Sequence, residues 1–178
     1  MISVRTAHTA LLEPGVLAEA RSILYAVFDD MEESDWEHSL GGVHALAYEG
    51  GELVGHAAVV MRRLLHDGRA LRCGYVEGVG VRAEARRRGH ASAMMDALER
   101  VIRRAYGLGA LGATDDAVPL YLGRGWSAWG GPLSALTPAG VTPTPDEEGA
   151  VYVLPVEGGA SLDLSGELTC DWRDGDVW

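Results

Sequence analysis

The pattern of apolar and polar residues predicts an alternation of strands and helices. Ile2 to Ala7 alternates weakly, as a strand does, and Leu17 to Phe28 has the spacing of an amphipathic helix introduced by Pro14-Gly15. Ser34 to His38 begins with residues that cap helices, and Gly41-Gly42 follows it. This segment therefore predicts one helical turn that ends in a loop.

Three apolar runs separated by glycine turns predict an antiparallel meander. Val43 to Tyr48 and Leu53 to Leu65 flank Gly50-Gly51, and a glycine pair between two such runs indicates a hairpin. Asp67-Gly68 makes a second turn before Ala70 to Val81. The three runs are predicted to be sequential antiparallel strands.

The clearest helical period lies between Gly89 and Tyr106, where apolar residues recur at spacings of three and four. Leu108 to Ala113 is short, apolar and rich in glycine, which predicts a buried strand that completes a β-α-β crossover. Asp115-Asp116 is predicted to cap a further helix that carries Tyr121.

The chain beyond Trp126 is interrupted by proline and glycine. Pro138 to Pro145 is predicted to be a loop, and Val151 to Val156 and Glu167 to Cys170 are predicted to add edge strands. No internal repeat or domain boundary is visible, so we expect a single domain over residues 1–178. The order of elements indicates a mixed α/β (α+β) fold, with a mostly antiparallel central sheet flanked by helices.

Composition is that of a cytoplasmic globular protein. The 178 residues are 47% apolar, and neither a signal peptide nor a membrane-spanning run is visible. Cys73 and Cys170 have no metal-ligand spacing and are expected to be buried reduced thiols, although a disulfide stays open. The six histidines show no paired helical spacing of the zinc-binding kind, so we expect no metal.

The charge of the chain limits the partners that it can have. A net charge of −11 argues against nucleic acid, which requires a basic face. The acids form two clusters, one over residues 29–37 and one made of residues 146–148 with the C-terminal acids. Such runs are often only a solvated surface, but if the two clusters meet they form a cleft that attracts cations.

Arginine is distributed unevenly. All 15 basic residues are arginine, which excludes a lysine Schiff base and the lysine-containing phosphate loop of nucleotide hydrolases. Seven of the arginines lie between Arg82 and Arg104, within an otherwise acidic protein. A local basic segment of this kind suggests an anionic ligand.

The segment from Tyr75 to Ser92 places a strand, a basic turn and a helix in succession. The free N–H groups of the first helical turn, the helix dipole and the flanking arginines suit a diphosphate, and Gly89 allows close approach to the backbone. Two alternatives stay open. Gly78-Val79-Gly80 starts like a dinucleotide fingerprint but lacks its third glycine, and an arginine triplet is often only a solvated turn.

The pattern Arg86-x-x-Gly89-x-Ala91 resembles the acyl-coenzyme A pyrophosphate signature of the GNAT acetyltransferases, and the order of elements resembles their fold. Four further segments look like the aminoglycoside 2′-N-acetyltransferases, so that the resemblance covers nearly the whole chain. They are Asp35-Trp36-Glu37-His38-x-Leu40-Gly41-Gly42-x-His44, Arg72-Cys73-Gly74-Tyr75-Val76-Glu77, Tyr121-x-x-Arg124-Gly125-Trp126 and Cys170-Asp171-Trp172-Arg173-x-Gly175-Asp176-Val177-Trp178.

The resemblance implies residues that bind acetyl-coenzyme A. The backbone of Val79 and Val81 would bond the pantetheine arm, and the Val79 N–H would also polarise the thioester carbonyl. The pyrophosphate would be held by the basic turn and the start of the helix, which comprise Arg86, Arg87, Arg88, Gly89, His90, Ala91 and Ser92. Ala91 stands where glycine is commoner, which is expected to change the affinity for the coenzyme but not the way in which it is bound.

The resemblance also implies the catalytic groups. Glu77 lies two residues before Val79, and strict alternation would place both side chains on one face of the strand, so Glu77 is the first candidate base. The carboxylate of Trp178 is the second. Tyr121 matches the tyrosine that protonates the leaving thiolate. Two alternatives stay open: Glu77 as a structural carboxylate paired with an arginine or a backbone donor, and Tyr121 as a residue packed on its helix.

An aminoglycoside is a polycation with many hydroxyl groups, so its site should offer carboxylates and carbonyls. By resemblance the expected substrate residues are Asp30, Asp35, Glu77, Gly112, Glu147, Asp176 and Trp178. Gly112 stands where a small polar residue is expected. The resemblance also suggests a homodimer.

These observations lead to the expectation of an N-acetyltransferase that acetylates the 2′-amine of aminoglycoside antibiotics and so confers resistance. Two alternatives remain: a GNAT enzyme for another amino sugar or a polyamine, and a coenzyme-A-binding protein without catalysis. Glu77, Tyr121 and Trp178 argue against the second alternative.

Overall fold

The computed structural model describes residues 2–178. The helices and strands, in chain order, are β1 (Ile2–His8), α1 (Pro14–Val27), α2 (Glu33–Glu37), β2 (Val43–Glu49), β3 (Glu52–His66), β4 (Arg69–Val81), α3 (His90–Ala105), β5 (Leu108–Gly112), α4 (Val118–Leu122), β6 (Ser127–Ala128), β7 (Leu133–Thr137), β8 (Gly140–Pro143), β9 (Val151–Pro155) and β10 (Leu168–Cys170). Short 3₁₀ turns connect several of them.

The chain divides into two compact units. The first unit runs to Val60 and resumes over Val76–Val101, and the second comprises Met61–Tyr75 and Ile102–Trp178. The long strands β3 and β4 and the helix α3 therefore each continue from one unit into the other.

In the first unit, β2 pairs antiparallel with the first part of β3, as predicted for the first two strands of the meander, and β1 pairs antiparallel with β2 on its other side. Ile2 pairs with Glu49 along β1 and β2, and Val43 pairs with Val59 along β2 and β3. Because successive residues of a strand point to opposite faces, this register turns one apolar face toward α1. The core members are Leu12, Ala20, Ile23, Leu24, Trp36, Leu46 and Leu53.

Two helices of the first unit begin differently from the prediction. Helix α1 starts at Pro14 rather than at Leu17, because proline fixes a helical φ and needs no N–H partner in the first turn. Helix α2 is capped by Glu32, whose backbone N–H donates to Asp35 Oδ2 at 2.8 Å within a capping box, and not by Ser34 or Asp35 as the N-cap.

In the second unit β4 and β5 pair in parallel, with Cys73 opposite Leu108, as the predicted β-α-β crossover requires. Strand β9 pairs antiparallel with both β5 and β6. Strand β10 lies between β3, to which it is antiparallel, and β7, to which it is parallel. The prediction that residues 151–156 and 167–170 form edge strands was therefore wrong about their position, because each has a strand on both sides.

The predicted loop over Pro138 to Pro145 was also wrong in part. Residues 140–143 form β8, which pairs with β7 in the register Ser134 to Pro143. Proline lacks an N–H but is tolerated at the end of an outer strand, where one edge has no ladder partner. Strands β6 and β7 were not foreseen, because they are short and follow a glycine-rich stretch.

Glycines allow close packing in the second unit. A Cβ on Gly74 would lie 2.7 Å from Tyr106 Cδ2, and a Cβ on Gly109 would lie 3.1 Å from the Trp126 ring and 3.2 Å from Ile102. Strands β4 and β5 therefore accept these large side chains only because both positions lack a side chain.

The predicted fold class is confirmed: the sheet is mixed and mostly antiparallel, with helices beside it. Cys73 and Cys170 are both buried and neither is part of a disulfide, as expected. Within residues 2–178 no helix combines the length and the apolar character needed to cross a membrane.

Candidate active site

The end of β4 carries the candidate base and the candidate thioester contact. Glu77, Gly78 and Val79 are all half-buried, and Gly78 has a φ of 55°. This left-handed conformation suits glycine, and it interrupts the regular alternation of the strand. The assumption of strict alternation between Glu77 and Val79 therefore does not hold, because the backbone turns between them.

The basic turn after β4 has the backbone of an anion-binding site. Arg87 has a φ of 59° and Gly89 a φ of 89°, and α3 begins at the next residue, His90. Left-handed residues next to a helix start turn several N–H groups into one concavity, and the N–H groups of the first helical turn have no intrahelical acceptor. The turn and the helix start therefore form a cradle that suits phosphate oxygens.

The arginines of the cradle are not equally available. Arg86 donates from Nε to the Val81 carbonyl at 3.2 Å, and Arg88 donates from Nη1 to Glu49 Oε2 at 3.0 Å. The Arg87 side chain is exposed. Arg88 must exchange a carboxylate for a phosphate if it is to bind one, so the backbone N–H groups and Arg87 contribute most directly.

His90 and Ser92 differ in what they can offer. The His90 side chain is only 1% exposed and its Nε2 lies 3.5 Å from Glu49 Oε2, so His90 can reach a ligand only through its backbone N–H. Ala91 and Ser92 are half-buried in the first turn of α3. A Cβ on Gly89 would meet only Ile2 Cδ1 at 3.7 Å, so its surroundings are open.

A cavity of about 600 Å³ in the first unit adjoins the cradle, because Arg88 lines both. Its charged lining comprises Glu19, Glu49, Glu52, Glu84, Arg82 and Arg88. Four carboxylates against two guanidinium groups give this cavity an excess of negative charge, which disfavours a diphosphate.

In the second unit, Tyr121 lies on α4 and is 4% exposed. Its ring centroid is 6.0 Å from that of Trp126. Burial raises the pKa of Tyr121 to about 12, because the phenolate form would lose its hydration. The phenol therefore stays protonated at neutral pH and can act as a hydrogen-bond or proton donor.

Hydrogen bonds hold Trp178 in place. Its ring nitrogen donates to Thr144 Oγ1 at 2.9 Å, and its backbone N–H donates to Asp176 Oδ1 at 3.0 Å. Arg173 donates from Nη2 to the Trp178 backbone oxygen at 2.9 Å. Trp178 is 4% exposed, so the last residues do not fray in the way that chain ends usually do.

Gly112 and Arg173 complete this arrangement in the second unit. A Cβ on Gly112 would lie 3.7 Å from the Trp178 backbone carbon and 3.7 Å from Tyr75 Oη, which is ordinary contact, so a small side chain would fit. The guanidinium carbon of Arg173 lies 5.4 Å from the centre of the Tyr75 ring. This distance permits a cation–π interaction that helps to orient Arg173.

Two of the predicted substrate residues interact within the second unit. The pKa of Glu147 is raised above its usual range by burial first, and then by the negative charges of Asp176 and Asp146. Carboxylates that repel each other in this way favour a cation between them.

The predicted site residues divide between the two units. The first unit contains Asp30, Asp35, Glu77, Val79, Val81 and residues 86–92, and the second contains Gly112, Tyr121, Glu147, Asp176 and Trp178. Asp30 is exposed, as a cation ligand should be. Asp35 already accepts the Glu32 N–H, so part of its carboxylate serves the helix cap.

Sequence reasoning missed Arg173 and Thr144, which bind Trp178 directly. Arg173 lies in a quoted C-terminal motif, but no spacing rule indicates that its guanidinium turns back to the last residue. Thr144 lies in the segment that was predicted to be a loop. Among residues 2–178 no group of three or more His, Cys, Asp or Glu side chains is arranged to hold a metal ion.

Comparison with known proteins identifies the class. Residues 12–129 match the family described as Acetyltransferase (GNAT) domain. This range includes the end of β4, the basic turn and α3, which form the phosphate cradle. The chain belongs to the GNAT family and is an acetyl-CoA-dependent N-acetyltransferase.

Individual relatives narrow the comparison. The chain is 52% identical to an aminoglycoside 2′-N-acetyltransferase of Mycolicibacterium fortuitum over 179 residues, which cover 99% of this chain and 92% of the relative. Among solved structures, ElaA of Escherichia coli matches with a TM-score of 0.60 at 17% identity, over 86% of this chain and 99% of that one.

A second structure, Eis1 from Mycobacterium abscessus, matches with a TM-score of 0.62 at 20% identity over 75% of this chain. The match covers 33% of Eis1, so the chain spans about a third of that protein's length. At these identities the two structural matches show the fold, which agrees with the family assignment.

Proposed function

We propose that this chain transfers the acetyl group of acetyl-CoA to the 2′-amine of aminoglycoside antibiotics, and that it thereby confers resistance to them. The single observation that carries the acetyl-transfer part is the phosphate cradle at residues 86–92, with its left-handed Arg87 and Gly89. The acceptor is suggested by the 52% identity to an aminoglycoside 2′-N-acetyltransferase.

The residues of the first unit fit the binding of acetyl-CoA. The backbone N–H groups from Gly89 to Ser92 and the exposed Arg87 bind the diphosphate, with Arg86 and Arg88 beside them. The backbone of Val79 and Val81 bonds the pantetheine arm in this proposal. Acetyl-CoA itself supplies an acetyl group activated as a thioester.

The chain supplies proton transfer and charge stabilisation. Glu77 removes one proton from the substrate ammonium, through water, so that the neutral amine nitrogen can bond to the acetyl carbon. The Val79 N–H donates to the thioester oxygen as negative charge develops there. As the carbon–sulfur bond breaks, Tyr121 protonates the leaving thiolate, and the second amine proton, lost as the amide forms, restores the phenol.

The carboxyl group of Trp178 is the second candidate for the base. Its backbone oxygen is held by Arg173, which stabilises a negative charge at that position. Two variants distinguish the candidates. If Glu77→Gln abolishes coenzyme A release and a variant that appends an alanine after Trp178 retains it, Glu77 is the base, and the opposite pattern assigns the proton to Trp178.

Carboxylates recognise the acceptor in this proposal. Asp30, Asp35, Glu77, Glu147, Asp176 and Trp178 contribute negative charge or backbone oxygen, and Gly112 leaves room for a sugar ring. The pKa of Glu147, raised first by burial and then by the charges of Asp176 and Asp146, supports this part, because an ammonium group would relieve the repulsion between these carboxylates.

The test is a coenzyme A release assay with gentamicin and with an analogue that bears a hydroxyl group at the 2′ position. Gentamicin is expected to release coenzyme A and the analogue is not. Release of coenzyme A with both substrates refutes acetylation at the 2′-amine. Release with neither substrate, but with another amino sugar or a polyamine, shows that the acceptor belongs to a different class. Binding of acetyl-CoA without turnover on any amine refutes the enzymatic proposal.

The proposed enzyme is a single domain that forms a homodimer in the cytoplasm. The matched range 12–129 includes residues of both compact units, which supports one functional domain over residues 1–178. A homodimer follows from the family resemblance, and light scattering coupled to size-exclusion chromatography checks it. A cytoplasmic location is consistent with the use of acetyl-CoA. We propose neither nucleic acid nor a membrane as a partner.

A further inference from the structure

Two buried histidines of the first unit form a hydrogen-bonded chain that ends on the backbone of β4. His44 Nδ1 lies 2.8 Å from His56 Nε2, and His56 Nδ1 lies 2.9 Å from the Gly78 carbonyl oxygen. At the other end, Thr9 Oγ1 lies 2.7 Å from His44 Nε2. Both histidines are 0% exposed, so water does not compete for these bonds.

The direction of every bond in this chain can be assigned. The Gly78 carbonyl can only accept, so His56 Nδ1 carries a proton. Burial lowers the pKa of His44 to about 4 and that of His56 to about 3, so both rings are neutral at neutral pH. His56 Nε2 therefore accepts from His44 Nδ1. The Thr9 hydroxyl donates to His44 Nε2 at 2.7 Å rather than to the Gly42 carbonyl oxygen, which lies farther away at 3.3 Å. The Thr9 oxygen in turn accepts the Gly41 N–H at 2.9 Å.

The chain is built to hold a position rather than to conduct protons. A carbonyl oxygen cannot pass a proton onward, so transfer would stop at Gly78. The rings of His44 and His56 are also fixed by Trp36, whose ring centroid lies 6.3 Å and 5.6 Å from theirs. Fully satisfied buried networks of this kind rigidify the groups at their ends.

The carbonyl at the end of this network belongs to Gly78, the residue of β4 whose backbone is left-handed. Gly78 has a φ of 55°, and a Cβ there would lie 2.9 Å from Leu24 Cδ1 and 3.4 Å from His56 Nδ1. Glycine adopts left-handed and extended conformations about equally readily, so the surroundings of Gly78 decide which one it takes. The Gly78 carbonyl shares one peptide plane with the Val79 N–H, so holding the carbonyl fixes the direction of that N–H. A fixed backbone at Gly78 also restricts Glu77, which directly precedes it.

We propose that His44 and His56 are positioning residues for acetyl transfer, which hold the Gly78 carbonyl and thereby fix the direction of the Glu77 side chain and of the Val79 N–H. This inference rests on the roles proposed above for Glu77 and Val79. A base and an oxyanion donor must be placed to a fraction of an ångström, because a misplacement of about 1 Å costs about a hundredfold in rate.

The test compares two replacements of His56. His56→Leu removes the donor to Gly78, and His56→Asn keeps an amide N–H near the position of Nδ1. We expect His56→Leu to lower kcat at least about tenfold while KM for acetyl-CoA stays within about twofold, since the lost contacts act mainly in the transition state. His56→Asn is expected to recover most of kcat.

His66 provides a matched control. It is also buried, at 3% exposure, and its Nδ1 bonds to the Glu167 carbonyl oxygen at 2.9 Å in the second unit. His66→Leu should lower the unfolding temperature as much as His56→Leu does, with little effect on kcat. Equal losses of kcat in the two leucine variants, or full kcat in His56→Leu, would overturn the inference.

A measurement on the unmodified protein covers the case in which His56→Leu fails to fold. Nitrogen-15 spectra of labelled histidine at pH 7 should show His44 and His56 as neutral Nδ1–H tautomers, and an Nε2–H tautomer of His56 refutes the inference. Failure of the positioning role can be distinguished from failure of the proposed function. Full activity of His56→Leu beside an inactive Glu77→Gln would remove only the positioning role.

Discussion

The phenol of Tyr121 combines burial with a raised pKa of about 12, so it keeps its proton throughout the neutral range. We expect Tyr121→Phe to lower kcat by about a hundredfold or more, as loss of a general acid does, with KM for both substrates nearly unchanged. Steady-state coenzyme A release measures this. Tyr152→Phe, at a tyrosine that is also buried in the second unit, is the control, and an unchanged kcat in Tyr121→Phe removes this residue from the mechanism.

Glu147 combines a proposed role in substrate binding with a cost in stability. Its pKa is raised by burial and by the charges of Asp176 and Asp146, so its ionised form is less favourable in the folded chain than in the unfolded one at neutral pH. Glu147→Gln should therefore raise the unfolding temperature slightly, while KM for a polycationic aminoglycoside rises several-fold. Calorimetry and initial rates measure the two effects. Glu148→Gln, at an exposed neighbour, is the control, and a lower unfolding temperature in Glu147→Gln contradicts the argument.

At the scale of elements, the start of α3 depends on the left-handed backbone of Gly89. Its φ of 89° strains any other residue by about 1–2 kcal/mol, although the surrounding space is open. Gly89→Ala should lower the free energy of unfolding by about that amount and weaken acetyl-CoA binding, because the N–H groups of the cradle lose their common direction. Urea denaturation and isothermal titration calorimetry measure these effects.

Gly15 in α1 is the control for this prediction. A Cβ at Gly15 would also have open space around it, with no heavy atom within 4 Å, but the backbone there is helical. Gly15→Ala should therefore stabilise the protein by about 0.5–1 kcal/mol and leave acetyl-CoA binding unchanged. Equal behaviour of the two alanine variants would show that the conformation of Gly89 does not matter.

The helices and the meander could be predicted because their periods are long and their turns contain glycine pairs. The cradle could be predicted too, since a basic turn between a strand and a helix has a local signature. The short strands β6 to β8 could not, because segments of two to five residues carry too little pattern. Arg173 was missed because its bond to Trp178 depends on the path of the chain rather than on its spacing.

The pair His44 and His56 shows why register is hard to predict. In the structure His44 pairs with Ala58 and Leu46 with His56, so the two histidines are diagonal neighbours on one face. A register shift between Ala47 and Tyr48 makes this possible. A hairpin without that irregularity would slip by one residue and place the histidines on opposite faces.

For the molecule as a whole, these histidines link folding to pH. Their pKa values fall from 6.5 to about 4 for His44 and about 3 for His56, mainly because burial disfavours the charged ring. Between these values and 6.5 the unfolded chain binds protons that the folded chain does not. Stability is therefore fully present above pH 6.5 and is lost as the pH falls toward 4, with each such proton contributing about 1.4 kcal/mol per pH unit.

Urea denaturation at a series of pH values tests this linkage. Between pH 6.5 and 5 the carboxylates of the unfolded chain stay mostly ionised, because they titrate near pH 4, and the raised pKa of Glu147 affects the unmodified chain and the variant equally. In that window a His44→Asn/His56→Asn double variant should therefore show a smaller slope of unfolding free energy against pH than the unmodified chain. Equal slopes in the double variant and the unmodified chain would mean that the two rings are not held neutral by the fold, and the assignment of hydrogen-bond direction up to Gly78 would fail with it.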